Sequence, residues 1–458
     1  MKKIITQDYL ENKQINTRID AFLSKFNVSS ALKAANAYKQ KGFSATGIFQ
    51  YLFKLIFINR SMYLDMLIGK SESGFKKDTA YRFARSLNIN WIRFTSVLSK
   101  KVIDTVEPLT GNDRVNVFII DDSLYERNRS KKVELLTKVY DHAKRAYRYG
   151  FRMLTLGWSD GNTFMPVNSV LLSSENEKSR INESKLIDKR TSAYKRRLIS
   201  MKKATAAMLD LICEAKDRGI GAAYVLFDSW FTFPSTIKSV KDLGYDVIAM
   251  VKKSPKMFFR YQGAVMTLTE IYSRNRKRRG RSRYLLSVPV DVVKDGGSIP
   301  AKVVYVRNRN KRNEYLCLIS TNIDLDEEEI IRIYGKRWDI EVFFKVCKNY
   351  LHLCKECHSL SYDAVTAHTA VVFARYMMLA MEERYSIDER SWGELFLYCS
   401  DELADITWVR ASHLLLDSFM NTLADKLFLT EKLLNELMDA FIAAIPSELK
   451  HKLKMACF

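Results

Sequence analysis

Apolar residues recur at three- and four-residue spacing from Ile48 to Leu67 and from Trp91 to Val102. This spacing predicts helices with one buried face, and Gly111-Asn112-Asp113 then marks a turn. From Val115 the texture changes. The runs VNVFII (115–120), MLTLGW (153–158), VNSVLL (167–172), AAYVLF (222–227) and DVIAMV (246–251) are short, apolar and rich in β-branched residues, which predicts buried strands. Between the third and fourth runs, Ala204, Met208, Leu211, Ile212 and Ala215 form one helical stripe, with Gly219 as its stop after Lys216 and Arg218. Residues 252–323 return to β texture in YLLSVPVDVV, AKVVYV and EYLCLIS, separated by basic turns. From Asp324 the pattern is helical again: one long helix with an acidic start, one apolar helix and an amphipathic tail. No internal repeat is visible.

The order predicts an α/β fold in five stretches: a helical domain at 1–110, a strand-rich core at 111–251, a β-rich insertion at 252–323, the rest of the core at 324–380, and a helical C-terminal region at 381–458. With 47% apolar and 12% aromatic residues, and only 17 Gly and 7 Pro among 458, the chain is neither disordered nor fibrous. Lys and Arg number 74 against 52 acids, a net charge of +22. That surplus favours a polyanionic partner, nucleic acid first. An anionic membrane is the rival. The longest apolar stretch, Ala364 to Met381, is interrupted by His368, Arg375 and Tyr376 and reads as a buried helix short of a clean span. The opening MKKIITQDYLENKQ breaks its apolar run at Gln7, so no signal peptide is read and the expected location is the cytoplasm. Seven unevenly spaced cysteines fit reduced thiols.

Two carboxylates stand at the ends of apolar runs. VNVFII leads into Asp121-Asp122-Ser123, and AAYVLF into Asp228-Ser229-Trp230; α/β sites form at such strand ends, although an Asp there also caps ordinary turns. A third acid lies on the predicted long helix, which Asp324 or Asp326 would cap. At about 100° per residue, Tyr334, Arg337, Glu341, Lys345 and Lys348 share one stripe. Ile333, Ile340, Phe344 and Cys347 form the adjoining apolar face. Such a helix docks on a sheet while presenting one acid flanked by cations, whereas a plain solvated face would show Glu–Lys pairs such as Glu341 with Lys345.

Asp121, Asp228 and the spaced set Tyr334-x2-Arg337-x3-Glu341-x6-Lys348 resemble the DDE transposases of bacterial insertion sequences, in the IS-four type with a Tyr-Arg-Glu-Lys signature. The resemblance covers roughly residues 115–380. It implies a ribonuclease-H-like core with the first Asp on the first strand, the second after the fourth, the Glu on a late helix, and a β domain inserted before that helix. It implies that Asp121, Asp228 and Glu341 are catalytic and hold two Mg2+ ions, or Mn2+, since hard cations prefer oxygen ligands and relieve carboxylate repulsion. It also implies that Tyr334, Arg337 and Lys348 grip phosphates. The family pattern of Asp, any residue, then Ser or Thr selects Asp121 over Asp122. The expected activity is cleavage and joining of double-stranded DNA, at element ends and target, by a homodimer with no membrane role. A nuclease without strand transfer and a non-catalytic DNA-binding protein are the alternatives. Relatives that form DNA hairpins hold a flipped base on an aromatic of the inserted domain; residues 252–323 contain no Trp, and Phe258, Phe259, Tyr261 or Tyr272 are the substitutes considered, each read first as core.

From Arg274 to Arg283, Arg276, Lys277, Arg278, Arg279 and Arg281 help place seven cations in ten residues around Gly280. Like charges at that density point to a hairpin tip that reaches phosphates. A weaker basic stretch is Tyr194-Lys-Arg-Arg197 with Lys202-Lys203. Cys347, Cys354, Cys357 and His358 have spacing that a zinc site could use, but reduced cysteines are the preferred reading. His142 and His368 read as structural.

Overall fold

The computed structural model describes residues 18–385, apart from 40, 59–60, 68–72, 112–113, 142–143, 281, 309–310 and 312–313, together with isolated positions between 419 and 444. The chain divides into two compact units. One comprises Met1–Lys25, Lys54–Lys70 and Asp388–Phe458, and the other Phe26–Phe53 and Ser71–Ile387. In the first, the described helices include Arg18–Lys25 and Met62–Leu67. Most of the helical region expected at 381–458 lies outside the described residues.

The second unit is built on one eleven-stranded sheet. Its strands are β1 (Val117–Glu126), β2 (Thr137–Asp141), β3 (Ala146–Ser159), β4 (Phe164–Leu172), β5 (Tyr224–Phe227), β6 (Asp246–Val251), β7 (Phe258–Tyr261), β8 (Ala264–Thr267), β9 (Tyr284–Lys294), β10 (Gly297–Arg307) and β11 (Tyr315–Ser320). They run in the order β2-β3-β1-β5-β6-β11-β10-β9-β7-β8, with β4 also on β3. Among the described strands, β1–β5 and β5–β6 are the parallel pairs. Val117 to Ile120, all of β5 and most of β6 are buried, as unbroken apolar runs covered on both faces should be.

Three features depart from the sequence pattern. First, β1 does not stop at Ile120. It continues through Asp121 to Glu126 because β3 goes on pairing with it, Asp121 opposite Thr155 and Glu126 opposite Gly150. A side chain at Gly150 would meet the Tyr125 carbonyl oxygen at 2.1 Å, so this close approach needs glycine. Second, residues 252–323 do not stand apart from the core sheet. β11 pairs antiparallel with β6, Cys317 opposite Val251 and Ser320 opposite Ile248, so these strands prolong it.

Third, the expected long helix is broken into Glu327–Gly335 and Trp338–Asn349. Asp326 caps its start, its carboxylate accepting from the Glu329 N–H at 2.7 Å. At the break the backbone tightens to i→i−3 bonds, Lys336 to Ile333, Arg337 to Tyr334 and Asp339 to Lys336. The cause is Lys336, whose buried ammonium donates to the carbonyls of Val115 at 2.5 Å and Asp160 at 3.2 Å and so pins the joint to the sheet. The predicted apolar face is sound: Ile333, Ile340, Phe344 and Cys347 are all buried.

Helix Trp91–Val106 lies against β4, where the Ser99 hydroxyl donates to the Pro166 carbonyl at 2.7 Å. Helix Tyr362–Tyr385 covers both. Over Tyr362–Arg384 it is long and apolar enough to cross a membrane by length and composition, contrary to the shorter stretch read from sequence, and 94% of its apolar window is buried in the protein. Its Arg375 is tolerated there because the guanidinium reaches Glu356 at 2.6 Å and the carbonyls of Leu52 and Phe53.

Candidate active site

Parallel pairing of Ile120 with Phe227 brings Asp121 and Asp228 out of neighbouring strands side by side, roughly 4.8 Å apart across the sheet. β5 ends at Phe227, so Asp228 stands at the lip where its strand stops. Its carboxylate accepts from the Trp230 N–H at 2.9 Å. Alternation along β1 separates the two adjacent aspartates. Asp122 turns to the other face and pairs with Arg152, whose guanidinium lies 5.2 Å over Trp230. Asp121 and Ser123 face the broken helix.

From that helix Arg337 reaches two acids at once. It donates to Asp121 Oδ2 at 3.1 Å and to Glu341 Oε1 at 2.6 Å. Lys348 donates to Ser123 Oγ at 2.6 Å. The Tyr334 ring centroid is 5.9 Å from the guanidinium carbon, and the Tyr334 hydroxyl and Arg337 Nε are buried without a well-formed hydrogen bond. Arg337 thus links Asp121 to Glu341, with Tyr334 beside the guanidinium and Lys348 on Ser123, two residues along β1. Lys345 points to solvent.

The electrostatics show unbalanced negative charge. Burial pushes the Asp121 carboxyl up to about 7; Arg337 pulls it down, Asp228 pushes it further up, and the Asp122 N–H, donating to it at 2.8 Å, lowers it by more than the Asp122 charge raises it. Asp228 is also raised, chiefly by burial, against the Trp230 N–H and Arg337. Burial raises the Tyr334 hydroxyl to about 12. Two neighbouring carboxylates that still repel in the presence of an arginine fit a hard divalent cation. The third does not yet join them: among the described residues no group of three or more His, Cys, Asp or Glu is arranged to hold a metal ion. Arg337 accounts for this, because it stands between Asp121 and Glu341. Nor do Cys347, Cys354, Cys357 and His358 form a zinc set among the described residues. The three thiols are free, and burial raises each of them.

The basic run is a connection from helix Leu268–Arg274 to β9, not a hairpin tip. The Arg278 N–H donates to the Leu285 carbonyl at 2.7 Å. Lys277 lies 4.6 Å over Tyr272 and Arg278 4.3 Å over Tyr284. Arg276 and Arg279 are exposed; Arg281 lies outside the described residues, as does His142. The weaker basic stretch is corrected more sharply, since Arg196 and Arg197 are buried in an ion network with Glu134 and Asp363. Of the aromatics considered for base stacking, Phe259 and Tyr261 are buried and Tyr272 stacks on Tyr315 at 4.0 Å. Phe258 alone of the four is exposed. Sequence reasoning passed over Arg152 and the exposed Trp230; a tryptophan two residues past a strand-end aspartate was the available signal.

No curated protein matches the chain. A family model described as DDE superfamily endonuclease matches residues 60–306. The matched span contains Asp121 and Asp228 and ends before Glu341, whose place beside them rests on the Arg337 bridge. With more than half its length matched by that model, and two aspartates that directly follow a paired couple of parallel-strand residues inside the match, the chain belongs to the DDE superfamily endonuclease family.

Proposed function

We propose that the protein is a DNA transposase of the IS-four type that cuts and joins insertion-sequence ends by phosphoryl transfer. Asp121, Asp228 and Glu341 are the catalytic carboxylates. The observation that carries the reading is the side-by-side emergence of Asp121 and Asp228 under a helix joint that delivers Arg337 and Glu341. Support for a ribonuclease-H-like core comes from the order β4-β3-β1-β5-β6, with β1 between an antiparallel and a parallel neighbour.

Asp121 and Asp228 would hold Mg2+ or Mn2+, which supplies charge neutralisation and activation of the attacking water or DNA 3′-hydroxyl. The chain's own groups do the positioning. A phosphate entering the site competes with two carboxylates for Arg337, whose planar fork bonds two oxygens of either. Once Arg337 turns to the phosphate, Glu341 is released toward Asp121. Lys348 supplies a second cation from Ser123, and Tyr334 packs against the guanidinium. The hydroxyl that attacks belongs to water or DNA, so no Ser or Tyr nucleophile is needed. In this reading the substrate is double-stranded DNA, engaged by a homodimer in the cytoplasm without a membrane step.

The test incubates protein, magnesium and a labelled element end and separates the products. Joined products support the transposase. Nicked or hairpin ends that never join favour a nuclease, and binding without any cut favours a non-catalytic DNA-binding protein.

A further inference from the structure

Between Arg127 and Tyr149 the chain carries eight cations and two acids, with three tyrosines interleaved. Within it, β2 and the start of β3 pair as a two-stranded ribbon, Tyr140 directly opposite Tyr147 and Lys138 opposite Tyr149. Residues directly opposite in antiparallel strands point to the same face. β3 then runs unbroken from this ribbon to β1, where Thr155 is opposite Asp121 and Met153 opposite Ser123. Counting by twos along β3, Tyr147, Tyr149, Phe151, Met153 and Thr155 share a face. Tyr147, Tyr140 and Lys138 therefore lie on the same face of the sheet as Asp121.

The two rings are 5.3 Å apart in edge-to-face contact and remain exposed, Tyr147 at 71% and Tyr140 at 41%. Exposed Lys138, Lys144 and Arg145 flank them in the ribbon, and Arg129, Lys131 and Lys132, which precede β2 in sequence, are exposed as well. The Lys144–Glu126 pair at 3.6 Å is solvent-exposed and holds that lysine weakly. Glu134 among the acids and Arg127 among the cations are buried, which leaves seven cations against Asp141 in the segment. An exposed aromatic pair within a cationic ribbon matches a nucleic-acid backbone: cations neutralise phosphates and tyrosine hydroxyls donate to them, and two-stranded ribbons enter duplex grooves.

We infer that the β2–β3 ribbon is a duplex-DNA arm that grips the substrate some eight base pairs from the phosphate being cut. Eight residues of β3 separate Tyr147 from Thr155, and at about 3.3 Å per residue they span roughly 26 Å. At about 3.4 Å per base pair, that is seven to eight base pairs. The inference rests on the DNA-processing reading above and adds a second contact, remote from the carboxylates.

The experiment uses the full-length protein without divalent metal and follows anisotropy of fluorescent mixed-sequence duplexes of 30 and 6 base pairs. Tyr140→Ala with Tyr147→Ala should weaken 30-base-pair binding by about tenfold, in line with aromatic contacts to nucleic acid, and leave 6-base-pair binding unchanged. Lys144→Ala with Arg145→Ala should lower the slope of log affinity against log salt by about one per cation. These side chains are exposed, and circular dichroism checks that each variant is folded. A photo-crosslinker at position 147 should attach to DNA. Wild-type affinity and slope in both variants on the long duplex would overturn the arm, as would crosslinking to a second copy of the chain, which would make β2 a protein-pairing edge. If the wild type binds neither duplex, the DNA reading itself fails first.

Discussion

Arg197 and Arg337 each hold two carboxylates, one in the core and one at the rim of the same sheet. Arg197 meets Glu134 at 2.8 and 2.9 Å and Asp363 at 2.7 and 2.9 Å, and Arg196 adds a bond to Asp363 at 2.6 Å. Two cations balance two acids. Burial pushes Asp363 up, but its bonds to Arg197 and the charges of Arg196 and Arg197 outweigh it, and the carboxyl titrates below its ordinary range. At the rim one arginine serves Asp121 and Glu341 with Asp228 alongside, and Asp121 rises to about 7. Similar groups thus yield a sealed structural lock in one place and an unpaid charge in the other. Burial that one arginine does not offset, with a neighbouring carboxylate adding to it, marks the rim as the place for chemistry.

The largest test of that contrast is catalytic. Asp121→Ala, Asp228→Ala and Glu341→Ala should each lower DNA cleavage by about a thousandfold or more while duplex binding stays close to wild type. Loss of cleavage in Asp122→Ala with survival in Asp121→Ala would reverse the choice between the neighbours. At the core, Arg197→Met should cost about 3–5 kcal/mol, because Glu134 loses its buried partner and Asp363 one of two. Thermal denaturation reads this directly, and an unchanged melting temperature would show the network to be dispensable.

A third prediction reads stability against pH. The folded Asp121 titrates near 7 and an unfolded aspartate near 3.9, so between those values the folded state binds more protons. Stability therefore falls as pH rises through this window and stays reduced above it. Asp121→Asn should raise the melting temperature at pH 8 and change it little at pH 4. Equal shifts at both pH values would remove the charge argument. The smallest effect belongs to Arg337→Ala, which should lower the salt slope of DNA binding by about one and also slow cleavage; a wild-type slope and rate would return the helix to a solvated face.

Much of this site was legible because its signals are local. The Asp-x-Ser pattern singled out Asp121, and the spacing from Tyr334 to Lys348 put five side chains on one stripe, of which Lys345 points to solvent. The break at Lys336 was not legible, because it is caused by carbonyls of Val115 and Asp160, far away in sequence. Arg196 and Arg197 looked like a basic surface because their partners Glu134 and Asp363 lie more than sixty residues away. The continuation of β1 past Ile120 was hidden for a similar reason, since its polar half is held as a strand by β3.

The unbroken course of β3 has a consequence for how this protein can diverge. A strand with its side chains alternating sides works as a ruler graduated in pairs of residues. Two residues added between Tyr147 and Thr155 would move the tyrosines outward by about 7 Å, or two base pairs, and leave them facing as before. One residue would swing them to the opposite side and place Arg148 where Tyr147 stood. Related chains that reach different distances along DNA should therefore differ in this strand by even numbers, and an odd change should appear only with a compensating bulge.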